Sequence, residues 1–125
     1  MYKRNMYNNY PIYDFRYLLT NNASEKELIN SLSRENIYNI IQSWNYLKHD
    51  QNLFKVFAKG LENGIQKERY PFEYLPLLID YPEFNDYVIN GLYLCLDKYI
   101  DTNDEKKNNI IKCIHFFEES KKKID

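Results

Sequence analysis

The stretch Pro82–Ile100 is apolar on two faces at once. Phe84, Tyr87, Val88, Leu92, Cys95 and Tyr99 recur at helical spacing along one face, and Ile89, Tyr93, Leu96 and Ile100 along another. A helix of that kind buries both sides, so the pattern places it at the centre of a helical assembly. Pro82 suits its first turn, where a missing N–H leaves nothing unpaired.

Other stretches show helical periodicity with start and stop signals. Pro11 opens a helix near Pro11–Thr20, with Ile12, Phe15 and Leu19 on one face. Ser24-Glu25-Lys26-Glu27 reads as a capping box before Leu28, Ile29 and Leu32. Ser33 is positioned to cap a helix over Arg34–Lys48, whose stripe is Ile37, Ile40, Ile41, Trp44 and Leu47. Asp50 caps a helix from Gln51 to about Asn63, with Leu53, Phe54, Phe57 and Leu61 inward and Gly64 in the left-handed position after it. Pro71, Pro76 and Pro82 interrupt Tyr70–Pro82, which predicts turns and one short helix near Pro76–Asp80. Thr102-Asn103-Asp104-Glu105 is a second capping box. It starts a helix over Asn103–Lys121 with Ile110, Ile111, Ile114 and Phe117 inward and Lys121–Lys123 at its end. The expectation is an all-α fold over residues 1–125: one domain, an irregular bundle of six or seven helices, mostly antiparallel neighbours.

Composition removes several classes. Two Val and 3 Gly argue against a large sheet or a Gly-rich phosphate loop. The 17 Lys+Arg against 18 Asp+Glu leave a charge of −1, short of the basic excess that direct nucleic-acid binding needs. A helix-turn-helix over Ser24–Lys48 would present only Arg34 and Lys48 from its second helix, too few for phosphate contacts. No apolar run of transmembrane length occurs. Met1–Tyr10 has Lys3 and Arg4 without an apolar stretch behind them, so no secretory signal is expected. The two cysteines, Cys95 and Cys113, form no disulfide framework, and a cytoplasmic setting fits. In a hairpin of the last two helices they would be offset by ~7–8 Å along the axis, which disfavours a bridge.

No catalytic residue, metal site or cofactor is expected. Cys113 and His115 point about 200° apart on one helix, and no CxxC or HExxH spacing occurs. His49 sits at a helix end, and His115 reads as a half-buried packing residue between Ile114 and Phe116. Glu62, Glu68 and Glu73 are carboxylates that could meet in space.

Charge is distributed unevenly. From Tyr70 through Asp97 there is no Lys or Arg, while Glu73, Asp80, Glu83, Asp86 and Asp97 give a local charge of −5. Two explanations compete. Glu83 and Asp86 can simply serve the first turn of the long helix. Alternatively Tyr70, Glu73, Tyr74, Asp80, Tyr81, Glu83, Asp86 and Tyr87 form a partner-binding face, with tyrosines supplying contact area and carboxylates steering a basic partner.

A small, acidic-patched, Tyr- and Asn-rich helical chain of this character resembles the immunity proteins of bacterial contact-dependent and other polymorphic toxin systems. That resemblance implies an antitoxin-type inhibitor, which neutralises a cognate toxin domain, such as a nuclease, in the cytoplasm by covering its active site. The alternatives are a helical adaptor or regulatory domain that self-associates through exposed tyrosines, and, further off, a small enzyme with carboxylate chemistry.

Overall fold

A computed structural model of the chain describes residues 13–102 and 104–124. It is all-α, with no strand among the described residues. The helices are α1 (Tyr13–Thr20), α2 (Glu25–Ser33), α3 (Ile37–Leu47), α4 (Phe54–Gln66), α5 (Asn85–Leu96) and α6 (Glu105–Ile124). Four 3₁₀ segments join them: Gln51–Leu53, Phe72–Asp80, Pro82–Phe84 and Asp97–Tyr99. The expected first turn at Pro11 and Ile12 lies outside the described residues, as does Asn103.

Local chemistry explains most boundaries. The capping box at Ser24 is formed: its Oγ accepts from the Glu27 N–H at 3.2 Å, and the Glu27 carboxylate accepts from the Ser24 N–H. Asp50 accepts from the Asn52 N–H at 3.0 Å, but the turn it caps is 3₁₀, and α4 proper begins at Phe54. Three expected caps differ. Asn36, not Ser33, caps α3, accepting from the Asn39 N–H at 2.8 Å; Ser33 is buried inside α2 and donates to the Asn30 carbonyl. Asp104, not Thr102, caps α6, because the Thr102 hydroxyl turns back to the Tyr99 carbonyl. Gly64 lies within α4, and the left-handed residue after that helix is Glu68, at φ 58°. Arg69 N–H bonds to the Gly64 carbonyl and Glu68 N–H to that of Ile65, the pairing of a Schellman turn.

The most buried helix is α4, which packs on α2 and on α5; α6 covers another side of α5. Close approach is set by small residues. A Cβ on Gly91 would lie 2.9 Å from the Glu62 carbonyl, so α5 can touch the α4 backbone only with glycine there. The first face of Pro82–Ile100 is buried as expected at Phe84, Val88, Leu92 and Cys95. The second is not: Ile89 and Leu96 are half-buried, and Tyr93 and Ile100 are exposed, because α5 ends at Leu96 and α6 covers only part of that side. One core runs from Phe15 to Phe117. Its aromatic centre joins α1, α3, α4 and the Pro82–Phe84 turn, with Trp44 5.1 Å from Phe57 and 5.0 Å from Phe84, and Phe54 stacked on Phe84 at 5.4 Å. Both cysteines are free thiols, Cys95 buried and Cys113 half-buried.

Candidate partner-binding surface

The proline-broken stretch forms one continuous 3₁₀ segment, Phe72–Asp80, rather than turns with a short helix at Pro76–Asp80. At three residues per turn, side chains three apart eclipse one another. Leu75 and Leu78 are buried and Phe72 is half-buried, so this row faces the core, against α6 and α3. A second row, Tyr74, Leu77 and Asp80, is exposed along its whole length. Tyr74 is 46% and Leu77 37% exposed, and Glu73 beside them is exposed as well. With a rise of about 2 Å per residue, the outward row spans roughly 12 Å. Neither Glu73 nor Asp80 forms an ion pair among the described residues.

Both ends of this ridge are anchored. At its start, Tyr70 is buried, 3% exposed, and its hydroxyl donates to the Leu32 carbonyl at 2.9 Å and lies 3.3 Å from that of Gly60. Its ring lies directly on the Cα of Gly64, where no side chain would fit. Burial, reinforced by the Glu35 charge, pushes the Tyr70 phenol far above its ordinary range, so it stays protonated as a donor. At the other end, Asn45 of α3 donates to the Tyr81 hydroxyl at 3.0 Å, and the Trp44 indole N–H donates to Glu83 at 3.0 Å.

The eight residues expected to share one contact face therefore separate. Tyr70 is an interior anchor and cannot line a surface contact. Tyr87 is half-buried, edge-on to Phe54 at 6.0 Å with Lys59 above its ring, and belongs to the α4–α5 seam. Asp86 is exposed on α5 but paired with Lys121 at 2.6 Å. Glu83 and Tyr81 are engaged with α3. Glu73, Tyr74 and Asp80 stand together on the ridge, joined by Leu77. Leu77 was legible in the sequence: the apolar period of three at Phe72, Leu75 and Leu78 marks a 3₁₀ segment and hence its outward row.

The other carboxylates do not meet. Glu62 accepts from Asn90 at 2.8 Å and pairs with Lys59. Glu68 accepts the Tyr99 hydroxyl at 2.8 Å, with Lys106 at 3.1 Å and Lys98 at 3.6 Å. Partial burial alone would raise its carboxyl, but the bonds from Tyr99 and Lys106 and the two lysine charges outweigh this and hold it below the usual value. This knot offsets the strain of a non-glycine residue at positive φ and ties the end of α4 to the start of α6. His115 is exposed, not half-buried, because it points across the α5–α6 seam into an open cleft with Asp86, Ile89 and Glu118. Among the described residues no cluster of His, Cys, Asp and Glu could hold a metal ion, and no helix is long and apolar enough to cross a membrane.

Comparison of the chain with protein-family profiles, with curated proteins and with solved structures finds no match.

Proposed function

We propose that this chain is a protein-binding inhibitor of the immunity type, holding a basic partner, a cognate toxin domain, against the 3₁₀ ridge. One observation carries the reading: an anchored segment exposes Tyr74, Leu77 and Asp80 in one row with Glu73 exposed beside it, and neither carboxylate is ion-paired within the described chain. An aromatic ring on a rigid mount supplies contact area without loop-ordering cost. Unpaired surface carboxylates steer a cationic surface and fix its register. A basic cleft built for phosphates is the matching chemistry, since carboxylates occupy anion positions and block entry.

The test uses the C-terminal domain of the polypeptide encoded beside this chain's gene, immobilised for kinetic binding. Glu73→Lys with Asp80→Lys should lower the association rate about tenfold at low salt, and the effect should shrink as salt rises. Tyr74→Ala should speed dissociation by about tenfold or more. Glu83 and Asp86 are unsuitable for this purpose, because each is engaged within the chain. A complex indifferent to all three ridge changes refutes the assignment.

A further inference from the structure

The longest helix, α6, is pinned on one side and open on the other. It packs against α5 and against the 3₁₀ segment Phe72–Asp80. Lys106 reaches Glu68, Lys107 donates to the Ile100 and Thr102 carbonyls, and Glu118 accepts from Tyr93, so the helix is held along its length. At 100° per residue, Glu105, Lys112, His115, Phe116, Glu119 and Lys123 share the arc that faces away from the body, about 100° wide. All six are exposed. Phe116, 44% exposed, is the one phenylalanine among the described residues that is neither buried nor half-buried, and it lies at the middle of this arc.

We infer that α6 pairs antiparallel with α6 of a second copy of this chain, across a two-fold axis between His115 and Phe116. In such an isologous interface every contact is made twice. The charge pattern selects a second copy as the occupant, because it complements itself when reversed. Pairing about that axis sets Lys112 against Glu119 of the second copy, and Glu119 against its Lys112. Lys112 forms no ion pair among the described residues. Glu119 has only Lys122 at 3.6 Å, an exposed i,i+3 pair of little worth. Phe116 lies over His115 of the second copy, so an exposed phenyl ring gains an aromatic cover on each side of the axis. The ends agree as well. Lys123 comes within one turn of Glu105 of the second copy, while Lys106 and Lys107, which would oppose it there, are turned into the body. The two helix dipoles oppose each other favourably. A parallel pairing would set Lys112 on Lys112 and Glu119 on Glu119, so the charges also fix the direction. The contact uses none of the ridge residues and does not rest on the ridge reading.

The paired length is about 24 Å, and two helix faces of that length bury a small area, so the dimer is weak, with half-association at roughly tens of micromolar. Sedimentation equilibrium on the full chain should show the mass rising from 15.3 kDa toward twice that value with concentration, less steeply as salt rises. Phe116→Ser should weaken association about tenfold or more. Glu119→Lys sets a lysine against Lys112 twice over, and Lys112→Glu sets an acid against Glu119 twice over; each alone should weaken association at least about tenfold. The two single variants mixed should associate as the parent does, because every facing pair is again of opposite charge. So should Lys112→Glu with Glu119→Lys in one chain, whose net charge is unchanged. All of these positions are exposed, and circular dichroism checks that the fold persists. A chain that stays monomeric at hundreds of micromolar overturns the inference. So does a dimer indifferent to Phe116→Ser or to Glu119→Lys, and so does a doubly exchanged chain that associates no better than the single variants.

Discussion

Replacing Gly64 by alanine separates helix propensity from packing, because the two predict opposite signs. Gly64 is inside α4, where alanine is worth about 1 kcal/mol more than glycine. The added Cβ, however, would enter the space of Cζ, Cε2 and Oη of Tyr70. That ring is 3% exposed and tethered by its hydroxyl to the Leu32 and Gly60 carbonyls, so it cannot swing aside cheaply. Overpacking costs about 1–3 kcal/mol, and a rigid ring argues for the upper end. Displacing the ring also loses its hydrogen bonding, worth about 1 kcal/mol. The net expectation is a loss of about 3 kcal/mol, or roughly 10 °C in Tm for a chain of this size. Urea unfolding followed by fluorescence of Trp44, the single tryptophan, measures it. In a Tyr70→Leu background the obstacle is gone, and the same Gly64→Ala change should become neutral or stabilising by up to about 1 kcal/mol. A single variant as stable as the parent, or a coupling below about 0.5 kcal/mol, refutes the packing argument. Because Tyr70 directly precedes the ridge, the destabilised variant should also bind a partner less well.

Two further outcomes follow from side-chain partners. The Glu68 carboxyl sits below its ordinary value, so its ionised form is stabilised by folding. That contribution is complete above the unfolded-state value near 4.5 and is lost as pH falls through the lower folded-state one. Glu68→Gln should therefore lower stability at neutral pH and flatten the acid limb of the stability curve below about pH 5; an unchanged acid limb counts against the knot. Glu83→Ala removes the acceptor of the Trp44 indole N–H and should cost about 1 kcal/mol while shifting Trp44 emission. Unchanged emission and stability would return Glu83 to the list of carboxylates available to a partner.

What could be read along the chain is what neighbouring residues settle among themselves. The all-α class, the Ser24 capping box, the inward rows of α4 and α6 and the lysines closing α6 rest on contacts within about one turn, so their residue types appear at fixed short spacing. The misread caps had the same origin: Ser33 and Asn36 both suit a helix start, as do Thr102 and Asp104, and local chemistry alone does not rank them. The function-bearing distinctions are of another kind. Which acids and tyrosines of the stretch are engaged within the chain depends on Trp44 reaching Glu83 across 39 residues, Asn45 reaching Tyr81 across 36, and Lys121 reaching Asp86 across 35. Tyr70 became an anchor rather than a contact residue because Leu32, 38 residues away, offers it a carbonyl and Gly64 leaves room for its ring. Such pairings exist only once helices dock, since docking withdraws some polar groups from water and leaves others exposed. The sequence by itself therefore determined the all-α class and most inward rows, but not the second face of α5, which α6 only partly covers. Only the tertiary structure decided that Glu73, Tyr74, Leu77 and Asp80 stand clear on one ridge, while Tyr70 and Glu83 are taken up by other helices.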